Sequence, residues 1–264
     1  CSPLLLSPDE AHYWEWSRHL DWSYYSKGPI VAWMIAAGRS VWGDTEFAIR
    51  GPAWFSGMLF FAVFYLLARE LYGSRLALIG FFILKLSLLF HFLGTVMTTD
   101  PPAMLFWLLT LFAGAKLIRA ADAGHTRARD LWWVAAGIAL AFAVLSKYTA
   151  LILMPSFALF ICLSPNRRRY LSRGTVYGLF FFCLFLIPTI AWNAAHGWVG
   201  LLHNKGHLVS QKGISLNPLY LADLIGGQML AVGPLLVIAL TWACVAGLRR
   251  FFREHDDLAG FFAI

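Results

Sequence analysis

Charged residues are scarce in this chain. Only 13% of its 264 residues are Asp, Glu, Lys or Arg, against roughly 25% in a typical soluble domain. Hydrophobic residues make up 59%, and the mean hydropathy is +0.66. These values exclude a disordered chain, a coiled coil and an ordinary water-soluble enzyme. They indicate an all-α integral membrane protein.

Familiar motifs of soluble chemistry are also missing. The chain has no P-loop, no G-x-G-x-x-G, no G-x-S-x-G and no C-x-x-C, so soluble nucleotide or thiol chemistry is not expected. Three of its four cysteines lie in apolar runs, where a thiol acts as a small hydrophobe, so no disulfide framework is predicted. His196, His203 and His207 lack the compact spacing of a zinc site. We therefore predict neither metal nor cofactor.

Apolar runs long enough to cross a bilayer recur along the chain. A span needs about 20 mostly apolar residues, and we predict seven, at 51–68, 76–97, 101–118, 131–146, 148–164, 174–192 and 221–248. The pair at 131–164 is interpreted as a hairpin turning at Lys147, because one helix of that length would be too long for one crossing. Residues 1–50 hold no such run, and we expect them to form short interfacial helices with aromatic side chains at headgroup depth. The aromatic side chains concerned are those of Trp14, Trp16, Trp22, Tyr24 and Tyr25.

The basic residues alternate between loops. Thirteen of the 21 Lys and Arg residues follow the first, third, fifth and seventh spans, which makes those loops cytoplasmic by the positive-inside rule. The net charge of +7 is thereby explained by topology, and no nucleic-acid partner is predicted. The opposite face receives residues 1–50, the link at 98–100, the turn at Lys147 and the loop 193–218. We expect the functional site on this extracytoplasmic face.

Three acidic residues on that face are candidates for chemistry. Asp9 and Glu10 follow Ser7 and Pro8 at a helix start, where acids suit the dipole, so a plain helix start is the competing interpretation. Asp100 ends one apolar run and abuts two prolines. A carboxylate at membrane depth is costly and hence a functional candidate, although capping the next helix also remains open.

The cations of the same face are few. Lys27 lies in an aromatic turn, Lys147 at the hairpin tip and Arg50 at the start of the first span; snorkelling to the interface is the alternative for each. Lys85, within the second span, is expected to face the bundle interior or a polar partner such as His91. The loop 193–218 adds further polar residues, namely Asn193, His196, His203, Lys205, His207 and Lys212. Carboxylates beside cations could deprotonate an acceptor hydroxyl and stabilise a departing phosphate.

Several segments carry a family resemblance. They are SPDEAHYWEWS at 7–17, DWSYYSKGPIVAW at 21–33, WGDTEFAIR at 42–50, TTDPP at 98–102, SKYTA at 146–150 and P-x-x-x-W-N-x-x-H at 188–196. Together they resemble the membrane-embedded GT-C glycosyltransferases, in particular the bacterial branch related to protein O-mannosyltransferases, the aminoarabinose transferase acting on lipid A and the lipopolysaccharide-core galacturonosyl transferases. The resemblance covers essentially the whole chain, in order.

The resemblance implies an inverting transfer from a polyprenyl-phosphate sugar to a hydroxyl or phosphate of a lipid, glycan or protein acceptor, in the cytoplasmic membrane of a bacterium. It implies that Asp9 is the catalytic base or its close partner, with Glu10 beside it and Asp100 as the second acidic motif. Lys27 corresponds to the phosphate-binding lysine, and Lys147 and Arg50 are expected to assist it. The expected substrate contacts are Tyr24, Tyr25, Asn193 and His196.

A complete family member would be longer than this chain. We expect residues 1–264 to form one transmembrane glycosyltransferase domain truncated at both ends, with 1–50 as its extracytoplasmic helices and 51–264 as its bundle. The rival hypothesis is a non-enzymatic polyprenyl-lipid carrier or flippase. A carrier should show paired, interrupted helices in two halves and a polar site near the midplane. The chain shows no such repeat, and only Lys85 and His91 could form such a site. A scaffold would need neither Asp100 nor Lys147 at depth.

Overall fold

The protein is helical throughout the part that can be described. A computed structural model describes residues 6–87, 90, 94–200, 202–203 and 218–264, and every regular element in these ranges is a helix. The all-α prediction is confirmed. The elements are α1 (Pro8–Arg18), α2 (Ile30–Trp42), α3 (Glu46–Leu86), α4 (Asp100–Asp122), α5 (Thr126–Ser146), a 3₁₀ turn (Tyr148–Ile152), α6 (Leu153–Leu163), α7 (Arg167–Tyr170), α8 (Arg173–Ala195), α9 (Pro218–Val232), α10 (Pro234–Glu254) and α11 (Asp257–Ala263).

Four of the described helices are long and apolar enough to cross a membrane. They are α3, α4, α5 and α8. Shorter apolar helices lie at Ile30–Trp42 and at Tyr148–Leu163. The expected number of seven spans therefore stays a prediction. The all-α architecture is the same whatever that number is.

Helix α3 folds back on itself. Its 41 residues would extend about 60 Å if straight, twice the thickness of the hydrocarbon core. Gly73 interrupts the helix with φ 82° and ψ 167°, a backbone conformation that residues with a Cβ rarely adopt. The two arms then pack together, with the rings of Phe61 and Phe81 5.6 Å apart. This turn separates the first two predicted spans.

The hairpin at 131–164 also breaks where the sequence indicates. Helix α5 ends at Ser146, Lys147 is extended with φ −151° and ψ 119°, and a 3₁₀ turn leads into α6. In the span expected at 76–97 the helix is interrupted at Ser87, where the backbone is extended, and residues 88–89 and 91–93 lie outside the described residues. One other predicted span is wrong. The span expected at 221–248 is two helices, because Gly233 has φ 94° and Pro234 cannot continue the hydrogen-bond ladder.

Polar contacts gather at the two ends of the bundle. At the end predicted to be cytoplasmic, Glu70 pairs with Lys116 at 2.7 Å and with Arg119 at 3.1 Å. Nearby, the buried Asp257 accepts hydrogen bonds from Ser164 and Tyr170. At the other end, residues 7–28 contact Met97, Leu145, Tyr148 and Thr189. The segments predicted to share the extracytoplasmic face thus lie together.

Single cysteines at Arg168 and Ser40 test this sidedness, in a background from which Cys1, Cys162, Cys183 and Cys244 have been replaced. The basic loop at Arg168 should stay in the cytoplasm, so a membrane-impermeant thiol reagent applied from outside should label only Ser40→Cys. Permeabilised cells should label both variants. Labelling of Arg168→Cys in intact cells would contradict the topology.

Candidate functional site

The first turn of α1 is built by a capping box. The Ser7 hydroxyl accepts a hydrogen bond from the Glu10 backbone N–H at 3.2 Å, and the Glu10 carboxylate accepts one from the Ser7 N–H at 3.0 Å. Pro8 occupies the first helical position, where its missing N–H costs nothing. This local geometry places Asp9 and Glu10 on the first turn with side chains in different surroundings: Glu10 is fully buried, and Asp9 is exposed.

Glu10 forms a buried ion pair with Arg50. The Arg50 Nε and Nη2 atoms each donate to one carboxylate oxygen at 2.9 Å, and the Met97 backbone N–H donates to Oε1 at 3.2 Å. Arg50 is 6% exposed and Glu10 0%. A bidentate pair of this kind is among the stronger and more directional polar contacts in proteins. It fastens α1 to the start of α3 and to the segment that leads into Asp100. We call these contacts the Glu10 clamp.

The surroundings of Glu10 keep it ionised. Burial alone would raise the pKa of its carboxyl group, but the hydrogen bonds from Arg50, from the Ser7 and Met97 N–H groups and the charge of Arg50 together hold that pKa below its usual value of 4.5. Its oxygens already accept four donors from the protein.

The charges of Asp9 and Asp100 both act on Tyr13. No hydrogen bond or ion pair joins the Asp9 carboxylate to another residue in the described ranges. Tyr13, one turn further along α1, is 5% exposed. Burial and the negative charges of Asp9 and Asp100 raise the pKa of the Tyr13 hydroxyl to about 12. Both carboxylates therefore lie within electrostatic range of one phenol.

Asp100 lies in an open cavity and is paired with Lys147. The Lys147 Nζ atom lies 2.6 Å from Asp100 Oδ1, and each side chain is about one third exposed. Both residues line a cavity of about 410 Å³ whose other described walls are mainly apolar, including Trp107 and Met104. Of the three acidic candidates, Asp100 is among the described lining residues of this cavity, whereas Glu10 lies in the clamp.

Lys27 is brought to the same region by Gly28. A Cβ atom on Gly28 would collide with the Leu145 carbonyl, so only glycine permits the turn to lie this close to the end of α5. Leu145 is two residues before Lys147, and Lys27 is therefore held near Lys147. Lys27 is half-buried. All 14 acidic residues of the chain fall within the described ranges, and none forms an ion pair with Lys27.

Tyr24 and Tyr25 have different surroundings. Tyr24 is 7% exposed, its ring stacks on Trp16 at 4.4 Å, and its hydroxyl donates to backbone carbonyls of Trp16 and His19. These contacts hold the turn rather than a ligand. Tyr25 is 56% exposed and its ring lies 4.6 Å from that of His203. Of the two, Tyr25 is accessible to a substrate.

Asn193 and His196 lie at the end of α8. The buried Asn193 amide donates to the Ser23 hydroxyl at 3.2 Å and to the Thr189 carbonyl at 3.0 Å, and so joins α8 to the aromatic turn. His196 is exposed and stacks on Trp192 at 4.0 Å. His91, Lys205, His207 and Lys212 lie outside the described residues. No cluster of metal-binding side chains occurs within the described ranges.

Sequence reasoning missed three contributors to the site. Tyr13 carries a signal, because it lies four residues after Asp9 on the same helix and such residues share one face. The Met97 N–H and the Ser23–Tyr148 hydroxyl contact at 3.1 Å carry none, since a backbone donor and a small hydroxyl are invisible to pattern reasoning.

Comparison with known proteins identifies the relatives of this chain. The family model described as dolichyl-phosphate-mannose-protein mannosyltransferase matches residues 26–192. Lipid A galacturonosyltransferase RgtD of Rhizobium johnstonii is 26% identical, with 94% of this chain and 50% of that protein covered. Undecaprenyl phosphate-alpha-4-amino-4-deoxy-L-arabinose arabinosyl transferase 1 of Sodalis glossinidius is 30% identical, with 73% and 36% covered. The chain thus spans half or less of the length of these relatives.

Two solved structures share the fold. The crystal structure of ArnT from Cupriavidus metallidurans in the apo state matches with a TM-score of 0.60 at 21% identity, over 75% of this chain and 40% of that one. The same protein bound to undecaprenyl phosphate matches with a TM-score of 0.55 at 22% identity, over 76% and 38%. At this identity the likeness establishes a common membrane fold.

Glu10→Gln tests the clamp. It removes the buried carboxylate that pairs with Arg50, and we expect the complete protein to lose about 3–5 kcal/mol of stability, measured by thermal unfolding in detergent. Because folding lowers the pKa of Glu10, the contribution of the pair is complete above pH 4.5 and is lost as the pH falls through the lower, folded-state pKa. The difference between wild type and Glu10→Gln should shrink there.

Glu46→Gln is the matched control for this test. Glu46 lies 4.0 Å from Arg50 and is 44% exposed, so its removal should cost less than about 1 kcal/mol. Equal losses of stability in the two variants would contradict the clamp.

Proposed function

Because the chain belongs to the dolichyl-phosphate-mannose-protein mannosyltransferase family, we propose that the complete protein is a glycosyltransferase. It moves a sugar from a polyprenyl-phosphate donor to a lipid acceptor on the extracytoplasmic side of the cytoplasmic membrane. The donor and acceptor classes are supported by the relatives, which are named as an undecaprenyl-phosphate aminoarabinose transferase and a lipid A transferase. They are named as enzymes, which favours transfer over the carrier hypothesis.

One observation carries the proposed chemistry: the two carboxylates near Tyr13 differ in their partners. Asp100 Oδ1 already accepts a hydrogen bond from the Lys147 ammonium at 2.6 Å, and its Oδ2 lies 3.5 Å from the Thr98 hydroxyl, so both of its oxygens are engaged within the protein. Asp9 has no such partner in the described ranges. Asp9 is therefore the base in our proposal, and Asp100 positions Lys147.

The reaction is a single displacement. Asp9 accepts the proton of the acceptor hydroxyl as its oxygen bonds to the anomeric carbon, and the bond from that carbon to the phosphate oxygen breaks. The polyprenyl phosphate leaves with the bonding electrons, and the configuration at the anomeric carbon inverts. Lys27 and Lys147 stabilise the negative charge that builds on the leaving phosphate.

Glu10 and Arg50 take positioning roles in this proposal, in place of the catalytic and phosphate-binding roles expected from the sequence. The carboxylate of Glu10 is fully buried and accepts four donors, and the Arg50 guanidinium is directed at Glu10. The position of Glu10 supports this assignment, because Glu10 follows Asp9, the proposed base, directly in the chain. A small shift of the clamp would move Asp9 relative to the acceptor hydroxyl, and positioning errors of this kind are costly to catalysis.

Asp9→Asn separates base catalysis from helix capping. Asn is also accepted near a helix start, so the fold should be retained. Loss of the base should lower turnover about 10²–10⁴-fold, with donor affinity unchanged because the phosphate site uses lysines. The measurement is turnover of a defined polyprenyl-phosphate sugar by the complete protein. Glu15→Gln, an exposed acid on the same helix, serves as control. Wild-type turnover by Asp9→Asn would exclude Asp9 as the base.

Lys27→Gln tests the phosphate site. Removing a fixed cation near the leaving group should reduce turnover about 10²–10³-fold and weaken donor binding, with the melting temperature maintained. Lys116→Gln removes an equal charge at the opposite end of the bundle and should leave donor binding unchanged. If donor binding and turnover in Lys27→Gln match those of Lys116→Gln, Lys27 does not contact the phosphate.

A further inference from the structure

Lys85 lies on the second arm of α3, in the run predicted to be the second span and one residue before that helix ends, and its side chain is exposed. Its Nζ atom lies 4.7 Å from the centre of the Phe61 ring, and Phe61 is 8% exposed. Each residue is twelve positions from the turn at Gly73, one on each arm of α3, and at 1.5 Å per residue both lie about 18 Å from that turn. The hydrocarbon core is about 30 Å thick. With the turn at the cytoplasmic surface predicted for it, we expect the ammonium to lie within the core.

No carboxylate of this chain neutralises Lys85. All 14 acidic residues lie within the described ranges, and none forms an ion pair with it. Lys116 and Lys147 differ from Lys85 in this respect, since each has a carboxylate within 2.7 Å. His91, the partner expected from the sequence, lies outside the described residues, and an imidazole could not supply a negative charge. An intramembrane ammonium without a counter-charge is costly and indicates a functional site.

Lys85 lines a cavity of about 340 Å³, which we call the Lys85 cavity. Its other described walls include Trp54, Gly94 and Thr95. Thr95 is two residues before Met97, whose N–H belongs to the Glu10 clamp. One wall of the Lys85 cavity therefore belongs to the segment that leads into the clamp.

The Lys85 cavity and the cavity of Asp100 and Lys147 share an aromatic wall. Phe90 lines both of them, and its ring stacks on that of Phe60, with centroids 5.7 Å apart. A ligand in one cavity is therefore separated from a ligand in the other by about the thickness of a side chain.

We propose that the Lys85 cavity binds the acceptor lipid through a phosphate group that pairs with the Lys85 ammonium. This rests on the proposed function, which requires two lipids at one site. Lys27 and Lys147 already account for the phosphate of the donor. Lys85 is a further cation, and it lies in a separate cavity that adjoins the cavity of Asp100 and Lys147. Apolar side chains such as Trp54 and Met58 also line the Lys85 cavity, which suits a ligand that enters from the bilayer.

Three variants of Lys85 test the proposal in the complete protein: Lys85→Gln, Lys85→Met and Lys85→Arg. Binding of lipid A and of the same lipid after enzymatic removal of its phosphates is measured by native mass spectrometry in detergent. Because a hydrogen bond to a charged group is lost, Lys85→Gln and Lys85→Met should bind lipid A about 10–100-fold more weakly. They should bind the dephosphorylated lipid as wild type does. Lys85→Arg should retain the preference for phosphate.

Turnover separates this proposal from the proposed function. In a transfer assay, Lys85→Gln should raise the KM for lipid A and leave donor affinity unchanged, and Lys116→Gln should change neither. If wild type consumes no polyprenyl-phosphate sugar, the proposed function fails while the binding measurement still stands on its own. Equal binding of lipid A by wild type and Lys85→Gln would overturn the proposal.

Two further outcomes would also overturn it. Displacement of lipid A by equimolar phosphatidylglycerol would mean that the cavity holds a bilayer phospholipid. A lower melting temperature in Lys85→Gln that Lys85→Arg restores, with lipid preference unchanged in both, would mean that Lys85 pairs with a carboxylate in another part of the complete protein.

Discussion

The buried ion pair between Glu10 and Arg50 is the contact on which the extracytoplasmic end of this protein depends. It joins residues 40 positions apart, with both partners almost completely removed from solvent. A third backbone segment joins the pair through the Met97 N–H, which donates to the Glu10 carboxylate. Since removal of either member takes away the buried counter-charge of the other, the pair tolerates little change. Asp9 is adjacent to Glu10 and Asp100 is three residues after Met97, and the charges of both act on Tyr13.

The remaining charges of this end fall into two groups. Asp100 and Lys147 neutralise each other at the edge of a cavity, whereas Asp9, Lys27 and Lys85 have no ion-pair partner in the described ranges. Unpaired charges near or within a bilayer are energetically costly. Two lipid substrates with charged headgroups would reduce this cost when they bind. In our proposal, Asp9 is the base, Lys27 binds the leaving phosphate and Lys85 binds the acceptor lipid. The Gly28 contact with Leu145 and the shared Phe90 wall bring these groups into one region.

Much of the fold could be predicted from hydrophobic run lengths and loop charges. The break at Lys147 was predictable because a single helix over 131–164 would exceed the bilayer. The break at Gly233 was missed because the run is apolar on both sides, although Gly233-Pro234 carries a sequence signal for it: Pro234 cannot continue the hydrogen-bond ladder. Asp100 and Lys147 were found as candidates because they are costly at depth, but their direct pairing was not predicted.

The roles of Glu10 and Tyr24 show the limit of reasoning from residue type. A carboxylate next to a candidate base resembles a second catalytic acid until Arg50 is found beside it, and Arg50 is far away in the sequence. Tyr24 and Tyr25 are identical in type and adjacent, yet one is stacked on Trp16 and the other is exposed. Side-chain direction in an irregular turn follows from tertiary packing, which sequence pattern does not contain.

We propose that the complete protein transfers a sugar by direct displacement from a polyprenyl phosphate. The most direct test is to incubate it with a polyprenyl-phosphate sugar of known anomeric configuration and a lipid A acceptor, and to determine the product configuration by NMR. We expect one released polyprenyl phosphate per sugar transferred, with the configuration inverted. A product with retained configuration, or movement of the intact donor lipid across the bilayer without sugar transfer, would contradict it.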